Sequence, residues 1–237
     1  MKIIFDIGCH KGQNFDYFFE KSDVVVGFEA NTKLFENLKE KYSNYIENKK
    51  LFLENVALVE EKKEEYIDFY ISKNKDVLST LYPKRNSEYI KQSVKCEKIS
   101  SLIRKYLELF KTNNIEYIKI DVEGSDKYIL KDLLKSKIYP KNLSIECHDS
   151  EILEIILSSP YKSFKFIEGV DVSKFKNINI IDKYSNLKKI SFEIHSSGPY
   201  GKDIPGDYYE KNSILPYFFN NGLGWKDIHC SIEEEKY

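Results

Sequence analysis

Short apolar runs rich in Ile, Val and Phe alternate along the chain with longer amphipathic stretches. A two-residue apolar period marks a strand and a 3.6-residue period a helix, so this rhythm predicts an α/β protein built from β-α-β units around a mainly parallel sheet. The first unit is predicted as a strand over residues 2–7, a turn over 8–12, a helix over 13–21 and a second strand over 23–29. Asn31 stands where it can cap the next helix, whose apolar face is Leu34, Phe35 and Leu38. Strands follow over 51–58 and, as an antiparallel addition, over 66–72. Residues 73–92 are polar, contain Pro83 and read mostly as a loop that covers a site.

Strands are next predicted over 116–122, 142–148 and 163–167. Helices separate them: one from Ser100 or Ser101 to about 111, one over 125–135, and one capped by Ser150 and reaching 158. After Glu168 the pattern degrades into turn-dense sequence that includes Ser196-Ser197-Gly198-Pro199-Tyr200-Gly201. Residues 169–225 therefore read as a substrate-side cap on a single domain spanning 1–237, with the cofactor-binding half in about 1–125.

Composition narrows the partners. The 237 residues are 41% hydrophobic and 32% charged, enough apolar content for a real core. Lys+Arg number 37 against 38 Asp+Glu, so no net field draws the chain to nucleic acid or anionic membrane. Only Arg85 and Arg104 are arginines, the residue that phosphate and base-edge recognition favours. No apolar run approaches the ~18–20 residues of a membrane span. Cys9, Cys96, Cys147 and Cys230 lie far apart, which points to reduced thiols in a cytoplasmic protein rather than a disulfide framework or zinc site.

The chemistry starts at Asp6-Ile7-Gly8-Cys9-His10-Lys11-Gly12, where the first strand turns toward a helix. Gly8 and Gly12 allow a tight turn and close approach of a ligand to backbone. Asp6 adds an acceptor for an ammonium, a pairing that suits the amino-acid end of S-adenosylmethionine. The G-x-G-x-x-G dinucleotide fingerprint is missing, which puts a nicotinamide-dependent oxidoreductase second. Glu29 closes the second strand about 20 residues downstream, where an acid takes the ribose hydroxyls of an adenosine cofactor. A non-catalytic nucleoside-binding module is a further alternative, set against the acids and histidines at the strand ends.

Asp6-Ile7-Gly8 with Gly12, Phe28-Glu29-Ala30-Asn31, Asn55-Val56-Ala57-Leu58 and Ile118-Lys119-Ile120-Asp121-Val122-Glu123-Gly124 together resemble the FkbM-type methyltransferases over roughly residues 3–149. The resemblance implies a Rossmann-like class I methyltransferase fold, with a mainly parallel seven-stranded sheet and helices on both faces. It implies S-adenosylmethionine-dependent O-methylation, often of sugars, of a small-molecule or glycan acceptor. Asp6, Gly8 and Gly12 would then hold the methionine end, Glu29 the ribose and Asn55 the adenine, with Cys9, His10, Ala30 and Asp121 completing the cofactor site. Ala30 and His10 stand where the family commonly has proline and asparagine.

Ligands in open α/β sheets gather beyond the carboxyl ends of the strands. Asp121-Val122-Glu123 and Glu146-Cys147-His148 sit at two such ends, and alternation aims each outer pair at one crevice. His148 is the expected general base, Glu123 the positioning acid, and Glu146 the holder of the imidazole tautomer. The resemblance implies a last, antiparallel strand in the sheet; direction assigns it to 227–233 rather than 189–195, which brings Asp227 and His229 in beside the crevice. His195 and Tyr200, with Tyr208 and Tyr209, are the remaining acceptor-side candidates. Asp121, Glu146, His148 and a second histidine also offer oxygen and nitrogen ligands to a divalent metal, but without the motif spacing that would commit them.

Overall fold

The computed structural model describes residues 1–85, 87–222 and 224–233. Residues 86, 223 and 234–237, which fall within the spans assigned above, lie outside the described residues. In chain order the elements are β1 (Ile3–Ile7), α1 (Phe15–Lys21), β2 (Val24–Glu29), α2 (Thr32–Lys41), α3 (Ser43–Glu47), β3 (Leu51–Asn55), β4 (Ala57–Leu58), β5 (Tyr66–Ser72) and β6 (Tyr89–Glu97). Then come α4 (Ile99–Phe110), β7 (Ile115–Ile120), α5 (Asp126–Lys135), β8 (Asn142–Glu146), α6 (Ser150–Leu157) and β9 (Ser163–Glu168). The chain finishes with β10 (Ile178–Ile181), β11 (Leu187–Ile190), β12 (Tyr209–Glu210), α7 (Lys211–Asn221) and β13 (Lys226–Ser231).

The main sheet has the order β12-β9-β13-β8-β7-β1-β2-β3. From β3 to β8 all neighbours are parallel, and β13 runs antiparallel between β8 and β9. Strands buried on both faces need apolar residues at nearly every position, and β1 and β2 are buried throughout. The sheet has eight strands where seven were expected. The extra one, β12, is a two-residue pairing of Tyr209–Glu210 on the open edge of β9, too short to leave a periodic signal.

One face is covered by α4, α5, α6 and α7, which bring Ile103, Leu130, Leu133, Ile156 and Ile214 onto Phe5, Ile118 and Ile145. On the other face α1 and α2 supply Phe15, Phe18 and Leu38, and the long connection from β9 to β13 supplies Val172, Ile180, Phe192, Tyr200 and Ile204. That connection is therefore not chiefly a cap. It does the work of missing helices on the sheet, since the aromatic wall of Tyr17, Phe18 and Tyr117 needs apolar cover.

The strand expected over 51–58 breaks at Val56. Asn55 ends β3, while β4 joins β6 and β5 in a separate three-stranded sheet. The span 73–92 is a loop only in part. Its end forms the start of β6, the middle strand of that sheet, whose first residues are exposed or half-buried with no buried alternation, and Asp76–Leu78 makes one 3-10 turn. Residues 187–190, rather than 189–195, form a strand, in a small hairpin with β10. No helix among the described residues is long and apolar enough to cross a membrane.

Candidate active site

A cavity of about 420 Å³ opens at the carboxyl ends of β1, β2, β7 and β8, against the start of β13. It lies where β2 and β7 flank β1 on opposite sides, the switch point at which such sheets bind ligands.

Its floor is the glycine loop. Gly8 has φ +78°, and a Cβ there would lie 1.8 Å from the Asp121 carbonyl oxygen, so only glycine lets the ends of β1 and β7 meet. The Gly8 and Cys9 amides donate to Phe28 O at 3.0 and 3.1 Å. The two oxygens of Glu29 accept from the amides of His10 and Asn31, each at 2.8 Å. Burial pushes the Glu29 carboxyl up to about 7, against the pull of those two N–H groups. A carboxylate has about four lone-pair sites, so Glu29 shapes the loop and still has acceptors for a diol.

Beyond Glu29 the wall is apolar: Leu34, Val56, Leu58, Phe69, Val77 and Leu81 form a slot suited to a flat base. Ala30 lines it, but Asn55 does not. The Asn55 amide is spent on the Glu29 and Ala30 carbonyls, at 2.8 and 3.1 Å, and its oxygen accepts from Thr32 Oγ1. Phe69, Val77 and Leu81 come from the β5–β6 region; Val77 and Leu81 fall in the span read as a loop over a site, while Phe69 on β5 had no such signal. That region is latched to the glycine loop by Asp76, which meets Lys11 Nζ at 2.6 Å and His10 Nε2 at 3.5 Å.

Three other cofactor candidates lie off the cavity. A Cβ at Gly12 would meet Phe15, Tyr42 and Leu38, so Gly12 serves helix packing rather than the cavity wall. The Cys9 side chain is buried against Gly27, and burial raises its thiol well above the usual range. Asp6 is fully buried and pairs with Lys119 Nζ at 3.3 Å. Neither Asp6 nor Cys9 lines the cavity, whereas Gly8 and His10 do.

The opposite end of the cavity is acidic. Asp121, Glu123, Glu146 and Asp227 all line it, and Asp227 lies in register opposite Glu146 across the β13–β8 ladder. Glu123 is held at φ +54°, a conformation that non-glycine residues adopt chiefly where surrounding contacts enforce it, here with Thr80 Oγ1 donating to its carbonyl. Burial, then Glu146 and Asp121, push the Glu123 carboxyl up to about 8. Burial with Asp121 and Glu146 likewise raises Asp227 well above the carboxylate range. Carboxylate oxygens of Asp121, Glu123 and Glu146 lie within 4.8 Å of one another, close enough for one cation to bridge, though exposed acids often cluster without one.

His148 stands outside this wall with Nε2 3.5 Å from Asp126 Oδ2 and Nδ1 3.4 Å from Glu146 Oε2. Asp126, then Glu146, hold the ring protonated to about 11. A doubly paired imidazolium has no lone pair for a proton, so the geometry opposes the expected base role. Asp126 is the residue that sequence reading missed. It reads there as an ordinary acid at a helix start, yet it is buried and accepts from the Val122 and Gly124 amides at 3.0 and 2.9 Å.

Of the acceptor-side candidates, Asp227 and His195 line the cavity. His195 stacks obliquely on Trp225, with centroids 5.1 Å apart. Tyr200 does not line it: its ring lies flat on Tyr117, 4.1 Å away, in the core. His229 is buried two residues along from Asp227 on the same face of β13. Burial, then Lys165, push it down to about 3, so it is neutral.

Strand order, the glycine bend and the acidic strand ends together define a class I methyltransferase fold. The chain belongs to the FkbM methyltransferase family, whose description, Methyltransferase FkbM domain, matches residues 6–170. It is similar to an FkbM methyltransferase of Methylobacillus flagellatus KT, at 16% identity and TM-score 0.47, over 71% of this chain and 41% of that one. It thus spans well under half of that protein's length. It is also similar to a SAM-dependent O-methyltransferase of Thermotoga maritima, at 8% identity and TM-score 0.42, over 99% of this chain and 61% of that one. A tRNA (m1A58) methyltransferase of Aquifex aeolicus aligns at 10% identity and TM-score 0.41, over 100% of this chain and 63% of that one. No curated protein matches the sequence.

Proposed function

We propose that the protein transfers a methyl group from S-adenosylmethionine to a hydroxyl of a small polar acceptor, a sugar or glycan, with Glu123 as the general base. S-adenosylmethionine supplies the electrophilic methyl. Gly8, His10 and Glu29 would hold its polar end and the slot from Leu34 to Leu81 its base. The fit is supported by Gly8, His10 and Glu29 lining one side of the cavity together, with the apolar slot continuing beyond Glu29.

The observation that carries the reading is Glu123: a strained, half-buried carboxylate on the cavity wall with its pKa pushed up to about 8. A base works best when its pKa lies near the working pH, so Glu123 can take the hydroxyl proton as the oxygen attacks. In this reading Asp227, His195 and Trp225, which line the cavity, orient the acceptor, and Glu146 with His148 sets the local charge.

The test has two parts. Calorimetric titration with S-adenosylmethionine is expected to show binding, and a labelled-methyl screen over sugars and glycans to yield an alkali-stable ether product. Glu123→Gln is expected to keep cofactor affinity within about threefold and to lower kcat by ~10²–10⁴-fold. Unchanged turnover would remove Glu123 from the role.

A further inference from the structure

Lys119 is a lysine in the middle of the sheet, only 3% exposed. Burying an ammonium is costly unless every donor is met, and an apolar residue would serve packing on β7 better. Its ammonium donates a hydrogen bond to Gly8 O at 2.9 Å and forms ion pairs with Asp6 Oδ1 and Asp121 Oδ2, each at 3.3 Å. The Asp6 oxygens make no hydrogen bond, which leaves the lysine as their ion-pair partner. The three contacts divide unevenly: Asp6 does not line the cavity, whereas Gly8 and Asp121 line it from β1 and β7.

We propose that Lys119 is the positioning residue of the cofactor site. Anchored by Asp6, its ammonium ties the Gly8 carbonyl on one strand end to the Asp121 carboxylate on the next and fixes the gap into which the cofactor's amino-acid end fits. Lys119 itself reaches the cavity wall, but at 3% exposed it acts chiefly through Gly8 and Asp121. Asp6 then serves as the counter-ion that makes a buried lysine tolerable, rather than as the ligand's own acceptor. The inference rests on the methyltransferase reading of the cavity.

The test separates anchoring from stability. Lys119→Met alone strands the Asp6 charge and is expected to destabilise the fold. The double variant Asp6→Asn/Lys119→Met removes both buried charges, a replacement that is often neutral for stability. It is expected to melt close to the wild type yet bind S-adenosylhomocysteine about 10–100-fold more weakly, the loss of one charge-assisted anchor. Wild-type affinity in a stable double variant would overturn the positioning role and leave the cofactor assignment standing. A wild-type protein that ignores S-adenosylhomocysteine would overturn the cofactor assignment itself. A crystal structure of the unaltered protein with that ligand gives a second readout. Lys119 bridging Gly8 O and Asp121 while both face the ligand supports the proposal, and Lys119 turned away overturns it.

Discussion

His148 Nδ1 stands 3.4 Å from Glu146 Oε2, and its other nitrogen faces Asp126. The imidazolium therefore works as a fixed positive charge beside the acidic wall, and it holds down the pKa of Glu123. With Glu123 as base, kcat/KM rises with pH through about 8, because the ionised carboxylate is the active form. His148→Gln removes the positive neighbour and is expected to move that rise to higher pH. A pH–rate profile checks it: loss of the limb, rather than its displacement, would restore the base role to His148.

Gly8→Ala places a methyl where the Asp121 carbonyl already sits, at a φ of +78° that alanine resists. The expected cost is about 4 kcal/mol or more, the range reserved for backbone and core clashes. Urea unfolding of the variant measures it, and a near-normal midpoint would contradict the drawn junction of β1 and β7.

Asp76→Asn unlatches the β5–β6 loop from Lys11 and His10. The groups are partly exposed, so the pair is worth up to about 1 kcal/mol. The expected result is a KM for S-adenosylmethionine raised by about 2–5-fold with kcat nearly unchanged.

His229 is neutral in the fold, with its pKa pushed down to about 3 by burial and Lys165, while an unfolded histidine titrates near ~6.5. Between those values the unfolded chain binds the extra proton, so stability is full above about pH 6.5 and falls as pH drops. The slope is up to about 1.4 kcal/mol per pH unit. His229→Phe is expected to flatten that part of the acid-unfolding curve, read by circular dichroism.

Much of this arrangement is legible in the sequence because it is local. The bend after β1 and the acid closing β2 follow from short-range rules of glycine freedom and strand ends, whereas Asp121 and Glu123 both line the cavity from beyond the end of β7, Glu123 in a left-handed backbone that strand alternation does not supply. The antiparallel entry of β13, with Asp227 beside the cavity, follows from the family resemblance, with direction choosing between the candidate strands. What escapes the sequence is set by partners far along the chain. A lysine inside a strand reads as an outward-facing residue until Asp6 is seen beneath Lys119. His148 reads as a base until Asp126 reaches it from another element. Tyr200 reads as a sugar platform until Tyr117 claims its ring. Loop residues such as Val77 and Trp225 have no periodicity from which a cavity wall could be inferred.

Gly169 sits beneath Trp225, whose indole occupies the space that any side chain at 169 would claim, within 2.4 Å of where its first carbon would stand. The entrance on that side is thus gauged by a hydrogen atom. A bulkier residue there would lever the indole across the threshold, narrowing which guests are admitted while leaving the nucleoside berth on the far side untouched.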